Sequence, residues 1–353
     1  MVFEHADHTV PAHVLATGEN DMIQSLKRRQ AVAGLAGLGF VTPARAADSV
    51  TWYISQFEAE QAEALGKAFT AEHPGIAVDV VRVTGQVAFQ RLQMDIKNKT
   101  PHCDVFSASD ISHMAILKEK GELLRYEPPN AAGLAPVFRA LSDDGWYYAN
   151  NAARFVLIRR VDRVPADIAP KTWTDLLNPR WKGQIATAHP AFSGGMGTWV
   201  LALTKLYGWQ YFEKLAANNP RIGRSAVDPV TLLTAGECLV SPTYGPAAYH
   251  GIDKGSPIAV DQAADGAVVV VFPSAIPAGA PHPAAARLFL DWLLSQAVTR
   301  RIAADGSDPV RLDVPPRPGV PPLDAGRMIQ LSAAEIRRGV PEIIEKWRDT
   351  FGS

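Results

Sequence analysis

The chain has 353 residues, of which 35 are Lys or Arg and 36 are Asp or Glu, and 47% are hydrophobic. A formal net charge of −1 argues against nucleic acid as a partner, since such proteins carry a basic stripe. The two cysteines are too few for a disulfide framework. Hydrophobic cores stop growing beyond about 250–300 residues, so this length predicts two domains.

The first predicted element is an export signal at residues 22–46. Basic residues Lys27, Arg28 and Arg29 precede the apolar run 31–40, and Ala44-Arg45-Ala46 supplies an A-x-A cleavage site. A run of about ten residues is too short to span a bilayer, which takes roughly 20. We therefore expect export to the periplasm, with cleavage after Ala46.

Two properties of this signal each have two alternatives: the export pathway and the residue at which translation starts. Arg28-Arg29 resembles a twin-arginine motif, but Ala31 is less hydrophobic than that pattern favours, so Sec export is the alternative. Residues 1–21 have no role in such a signal, which makes Met22 an alternative start to Met1.

The mature chain then alternates strands and helices. Apolar, β-branched runs at 50–54, 76–83 and 103–106 predict three strands, and each is followed by a turn and a segment of helical spacing. This alternation within about 75 residues is typical of a parallel α/β sheet.

The second part of the chain has a different pattern. Long strands are predicted at 146–158 and 268–272, and a glycine-rich loop at 189–197 precedes a helix. An amphipathic helix is predicted at 283–295, and one or two helices at 333–350. Cys103 and Cys238 are expected to be small buried residues without a bridge.

Several of these segments together resemble periplasmic solute-binding proteins of bacterial ABC importers. The resemblance covers nearly the whole mature chain and is carried by CDVFSASD, TWTDLLNPRWKGQIA at 172–186, AFSGGMGTWVLALTKLYG at 191–208, and IPAGAPHPAAARLFLDWLLS at 276–295. The branch it resembles most includes ferric-ion binders and binders of phosphonates and phosphorylated organics.

The resemblance implies an α/β fold of two lobes, both discontinuous, joined by a two-strand hinge near 152–158 and 269–276. We assign residues 1–46 to the extension and export signal. Lobe one would hold 47–150 plus 276–325, lobe two 151–275, and residues 326–353 would form the C-terminal helices. A ligand would lie in the cleft between the lobes and be enclosed when they close.

Loops at strand ends in lobe one are candidate ligand contacts, because each immediately precedes a helix. Helix N-termini carry partial positive charge and favour anions. The alternative is that Ser109 or Asp110 only caps its own helix. The candidates are Ser55, Gln56, Gly85, Gln86, Ser107 and Ser109.

In lobe two, the loop SGGMGT can approach a bound group closely through its glycine backbone. It lacks the P-loop signature, so a plain connection is the alternative. Arg224, which precedes another helix, could bind a phosphate or carboxylate in bidentate fashion or be solvated. The candidates here are Ser193, Gly194, Gly195, Thr198, Arg224, Ser225 and Tyr244.

The spacing of the tyrosines distinguishes a site for an organic anion from a site for iron. The ferric binders place two adjacent tyrosines near this point, whereas here Gly245 and Pro246 follow Tyr244. Tyr244 and Tyr249 would be metal ligands only in the ferric alternative. Tyr147 and Tyr148 could contact an organic ligand or belong to the core.

No catalytic signature is present: Ala191 stands where a nucleophile elbow needs glycine, and there is no H-E-x-x-H motif or dinucleotide fingerprint. We therefore expect a receptor without cofactor, not an enzyme. The resemblance implies that this receptor is a monomer that delivers a small anionic solute to an ABC permease in the inner membrane. A sensory or scaffold protein with the same fold is the alternative from another class.

Overall fold

The computed structural model describes residues 48–225 and 227–352, and the predicted export signal at 22–46 lies outside them. No described helix combines the length and the apolar composition needed to cross a membrane. The strands of this part are β1 (Asp48–Ile54), β2 (Ile76–Arg82), β3 (Val105–Ser107), β4 (Tyr148–Arg160), β5 (Ala186–Ala188), β6 (Arg221–Gly223), β7 (Val240–Tyr244), β8 (Ile258–Asp261), β9 (Ala267–Ala275) and β10 (Met328–Ile329).

Helices alternate with these strands along the chain. They are α1 (Ala59–Glu72), α2 (Gly85–Asn98), α3 (Ile111–Glu119), α4 (Pro136–Arg139), α5 (Gly194–Tyr207), α6 (Gln210–Ala217), α7 (Asp228–Thr234), α8 (Gly245–Asp253), α9 (Pro283–Leu293), α10 (Gln296–Ala304) and α11 (Ala333–Phe351). Short 3-10 turns lie at Pro129–Gly133, Ala140–Gly145, Trp173–Leu177, Pro179–Trp181 and Ala325–Arg327.

The predicted parallel alternation at the start of the mature chain is confirmed. Strand β1 pairs in parallel with both β2 and β3. Helix α1 buries Ala62, Leu65 and Phe69, which recur at helical spacing on one face. Phe69 meets Phe289 of α9 at a ring separation of 4.9 Å, so α1 and α9 are packed together. We call the part of the fold around β1–β3 lobe one.

The central sheet runs in the order β2-β1-β3-β9-β4-β7, with β8 also pairing with β4 and β10 with β9. Strands β4 and β9 are antiparallel and link the two parts of the sheet. The first half of β4 pairs with β9, whereas residues 155–160 pair with β7 and β8. We call the part around β5–β8 lobe two. Strand β4 therefore contains the predicted hinge segment 152–158, and β9 contains all of 269–276 except its last residue, while the residue limits of the lobes stay a prediction.

Local sequence signals explain several element ends. Thr172 and Asp175 form a reciprocal capping box at the start of the 3-10 turn Trp173–Leu177.

The C-terminal segment is one continuous helix, α11, although Pro341 lies inside it. Cys103 and Cys238 are buried free thiols, as predicted.

A buried ion pair fixes the middle of β4. The Arg154 guanidinium donates to Asp308 Oδ1 through Nε at 2.8 Å, and the Arg154 backbone N–H donates to Asp308 Oδ2 at 2.8 Å. Both side chains are at most 6% exposed. The guanidinium also donates to the carbonyl of Pro321 at 2.9 Å. Arg154 is the last β4 residue paired with β9, so the pair holds β4 where its pairing passes to lobe two.

Asp308→Ala should leave the Arg154 guanidinium buried without its counter-charge. We expect a loss of about 3–5 kcal/mol in the free energy of unfolding, measured by urea denaturation. Glu237→Ala, which breaks the exposed Arg221–Glu237 pair, is the matched control and should cost at most about 1 kcal/mol. Equal losses in the two variants would contradict this account of β4.

Candidate functional site

Three lobe-one loops converge at one place. Ser55 follows β1, Gly85 begins α2, and Ser109 follows β3. The Ser109 backbone N–H donates to Ser55 Oγ at 3.1 Å. A Cβ added at Gly85 would lie 2.5 Å from Ser109 Oγ and 3.5 Å from Ser55 Oγ. The absence of a side chain at Gly85 is what allows the start of α2 to approach both serines.

Two long helices begin at this place without a side-chain cap. The residues preceding α2 and α5 are Thr84 and Ser193, and neither hydroxyl accepts a hydrogen bond from its own helix. The first N–H groups of a helix have no partner within the helix, and they carry the positive end of its dipole. Gly85 and Gly194 occupy the first helical positions, so the backbone at both termini is accessible to a close neighbour.

Lobe two contacts the lobe-one loops through Gly194. A Cβ at Gly194 would lie 3.3 Å from the Ser109 carbonyl oxygen and 3.2 Å from Asp110 Cβ. Asp110 caps α3, because its Oδ1 accepts from the Ser112 N–H at 2.8 Å. The start of α5 and the start of α3 therefore meet across the cleft, with the lobes in contact.

Tyr244 lies on the lobe-two side, next to this contact. It ends β7, its ring centre lies 4.6 Å from that of Phe155, and its hydroxyl packs directly on Gly195. Burial raises the pKa of the Tyr244 phenol well above its ordinary value, and a hydrogen bond with Ser193 opposes that shift. At neutral pH the phenol is therefore protonated and can donate a hydrogen bond.

Gln56 lies at the base of the lobe-one loops. Its amide Nε2 is 3.2 Å from Asn150 Oδ1 and from the carbonyl oxygens of Ala108 and Pro273. Asn150 Nδ2 in turn donates to Gln56 Oε1 at 3.2 Å. The side chain of Gln56 thus ties the loop after β1 to the two linking strands.

Ser107 lies below the site, in a buried chain of hydrogen bonds that we call the polar chain: Trp52, Ser107, Ser274, Asn150 and Gln56. Trp52 Nε1 donates to Ser107 Oγ at 2.7 Å, Ser107 and Ser274 hydroxyls are 2.5 Å apart, and Ser274 donates to Asn150 Oδ1 at 3.0 Å. Each serine has one proton, so Ser107 donates to Ser274. Both roles of the Ser107 hydroxyl are used inside the protein.

The remaining predicted contacts differ in position, and Thr198 lines the same small cavity as Ser109 and Asp110. Gln86 is exposed, and the buried Thr198 hydroxyl donates to the Gly194 carbonyl within α5 at 3.2 Å. The Arg224 and Ser225 backbone N–H groups donate to Asp228 Oδ2 at 2.7 and 3.0 Å. The Ser225 hydroxyl donates to the same carboxylate.

Arg224 nevertheless stands at the edge of the site. Its guanidinium carbon lies 4.8 Å from the ring centre of Phe192, the residue before Ser193. Both Arg224 and Phe192 are exposed. The guanidinium is therefore held at the surface by a cation–π contact and is not among the groups that meet at Gly85 and Gly194.

The second tyrosine of the ferric alternative has a different environment from Tyr244. Tyr249, a residue of α8, packs on Gly306, which follows α10, and the Arg317 guanidinium carbon lies 5.4 Å from the Tyr249 ring centre. Burial raises the pKa of the Tyr249 phenol. Within residues 48–225 and 227–352, no cluster of three or more His, Cys, Asp or Glu side chains is suited to a metal ion. Tyr147 and Tyr148 are buried in the core.

Sequence reasoning did not include Asn150 or Asp110 among the site residues. Asn150 is 1% exposed, and the adjacent amides of Asn150 and Asn151 interrupt the apolar residues of β4, which is a signal that could have identified it. Asp110 was considered only as a helix cap, a role that it does perform. The contact of Asp110 with Gly194 depends on how the two lobes face each other, and a local sequence pattern does not contain that information.

Comparison with known proteins establishes the family. The sequence model of the bacterial extracellular solute-binding proteins matches residues 55–300, and this chain therefore belongs to that family. Proteins of this family deliver ligands to ABC permeases. An uncharacterized protein of Haemophilus influenzae is 23% identical over 245 residues, which are 66% of this chain and 69% of that protein.

Solved structures agree with the fold. Iron-bound HitA from Pseudomonas aeruginosa has a TM-score of 0.74 and 21% identity, over 86% of this chain and 99% of HitA. The periplasmic binding protein AfuA from Actinobacillus pleuropneumoniae, with fructose-6-phosphate bound, has a TM-score of 0.74 and 20% identity, over 86% and 99%. The predicted two-lobed α/β binding-protein fold is thereby confirmed.

The placement of Ser107 and Ser109 can be tested with one pair of variants. Ser107→Ala removes the acceptor of the buried Trp52 N–H, and we expect it to cost about 1–3 kcal/mol of unfolding free energy. Ser109→Ala truncates a half-buried side chain facing Gly85 and should change stability by at most about 0.5 kcal/mol. Urea denaturation of both variants measures the difference, and an unchanged stability of Ser107→Ala would contradict the polar chain.

Proposed function

We propose that this protein is the periplasmic receptor of an ABC importer for a small organic oxyanion, such as a phosphate ester or a phosphonate. The oxyanion would lie between the N-termini of α2 and α5. The receptor would bind and release it without chemical conversion, and pass it to a permease in the inner membrane.

The observation that carries this proposal is the meeting of two helix N-termini at Ser109. Gly85 lies against the Ser109 hydroxyl and Gly194 against the Ser109 carbonyl oxygen, at the distances given above. The backbone N–H groups at two helix starts can donate hydrogen bonds to an anion although they carry no formal charge themselves, as in phosphate-binding loops.

Hydroxyl groups supplement these backbone donors. Ser55 and Ser109 stand on the lobe-one side, and Ser193 and Tyr244 on the lobe-two side. Because the phenol of Tyr244 is protonated, it favours an oxygen acceptor. A ferric ion would instead require the phenolate, at the cost of removing a proton from a buried group.

The similar structures include a sugar-phosphate complex and an iron complex. The ferric alternative needs two phenolates at one ion. Tyr249 contacts Gly306 and Arg317 whereas Tyr244 contacts Gly195 and Phe155, so a single ion would require one ring to leave its present neighbours. This difference favours the oxyanion.

The test is a thermal-shift titration of the purified protein with glycerol 3-phosphate, O-phosphoethanolamine, 2-aminoethylphosphonate, citrate and ferric citrate. A ligand at 100 times its dissociation constant adds about 2.7 kcal/mol of stability, which moves the midpoint by a few degrees. Tyr244→Phe should weaken binding of the responding oxyanion about tenfold, because it removes one hydrogen-bond donor. Tyr249→Phe is the matched control and should bind like the wild type.

A shift with ferric citrate alone, lost in both tyrosine variants, would overturn the oxyanion proposal in favour of iron. No shift with any of the five compounds would also count against it.

A further inference from the structure

An acidic side chain, Asp110, contacts the start of α5 in this site, and it is difficult to reconcile with an anion that carries no hydrogen-bond donor. Asp110 Cβ and Cγ would lie 3.2 and 3.8 Å from a Cβ at Gly194, beside the N–H groups that are proposed to bind the oxyanion. The negative charge of Asp110 also raises the pKa of the nearby Tyr244 phenol. A carboxylate is thus placed next to the anion site.

This carboxylate is held in position by its own helix. Oδ1 accepts from the Ser112 N–H at 2.8 Å and caps α3, so the side chain cannot turn away without removing the cap. With Oδ1 committed to the cap, Oδ2 is the oxygen that can accept from a ligand. An ionised carboxylate has acceptors only and offers nothing to a second acceptor.

The nearest turn of α3 does not supply a compensating positive charge. His113 is 7% exposed and stacks on Phe89 with ring centres 4.1 Å apart. Burial lowers the pKa of the His113 imidazole, with an opposing effect of Asp110. At neutral pH the imidazole is therefore uncharged, and it places no positive charge beside Asp110.

We infer that Asp110 is a specificity-determining residue that selects oxyanions which also carry a hydrogen-bond donor, either a hydroxyl or an ammonium group. This inference rests on the proposed function. The oxyanion end faces the starts of α2 and α5, and the donor end faces Asp110. A ligand that has only acceptors leaves the Asp110 carboxylate without a hydrogen-bond donor and beside a second negative charge. Closure of the lobes around such a ligand is therefore unfavourable, and its affinity is low.

The experiment compares two pairs of phosphate esters by isothermal titration calorimetry at pH 8, where their phosphate groups carry no proton. Glycerol 3-phosphate is paired with propyl phosphate, and O-phosphoethanolamine with ethyl phosphate. The first pair tests a hydroxyl donor and the second an ammonium donor. In the wild type, at least one donor-bearing ester should bind about 10- to 100-fold more tightly than its partner, the range expected for a charged hydrogen bond.

Asp110→Asn should reduce that preference to about threefold or less, chiefly because the donor-free ester gains affinity. Asparagine caps helices as well as aspartate does, so folding should be retained. Asp167→Asn, which changes an exposed aspartate in the loop after β4, is the matched control and should keep the wild-type preference.

Equal affinities within both pairs in the wild type would overturn the inference, and this result does not depend on whether the variant folds. So would a preference that Asp110→Asn leaves intact. If none of the four esters binds, the inference is overturned for phosphate esters, and the thermal-shift titration with 2-aminoethylphosphonate and citrate decides the proposed function separately. Binding with equal affinities within each pair leaves the proposed function standing and removes only the role of Asp110.

Discussion

The polar chain from Trp52 to Gln56 is the constraint on which the site depends. It crosses the strands β1, β3, β9 and β4 in the interior. Three of its hydrogen bonds each join a different pair of neighbouring strands, and the fourth joins β4 to the loop after β1. Buried polar groups are costly unless they are satisfied, so this set of partners fixes the relative positions of the strands. The loops that carry Ser55 and Ser109 leave from the ends of those strands, and their convergence follows from the chain beneath them.

Above this base, the site is made largely of backbone. Gly85 and Gly194 bring two helix starts within reach of Ser109, and Gly195 makes room for the Tyr244 hydroxyl. Backbone donors recognise an oxyanion with little regard to what it is attached to. In the proposed function, selectivity among oxyanions would come from the few side chains present, and we assign the largest part of it to the carboxylate of Asp110.

The sequence predicted the parts of this arrangement that depend on local patterns. The strand–helix alternation could be predicted, because apolar periodicity reports backbone geometry directly. The predicted loop over 189–197 was too long: α5 begins at Gly194, since tertiary packing overrides the poor helix propensity of its three glycines. The inward direction of Ser107 could not be predicted, since a strand of three residues gives no register. The contact of Asp228 with the backbone N–H groups of Arg224 and Ser225 could not be predicted either. An acidic residue at a helix start can accept from several neighbouring N–H groups, and the sequence does not say which. The contact of Asp110 with Gly194 joins two lobes, and no local pattern encodes it.

The most direct test of the central claim is a crystal structure of the protein with glycerol 3-phosphate, or with whichever organic oxyanion stabilises it most. We expect phosphate oxygens within hydrogen-bond distance of the backbone N–H groups at the starts of both α2 and α5, with the Tyr244 hydroxyl as a further donor. An oxyanion bound at the Arg224 edge alone, or outside the cleft between the lobes, would contradict it.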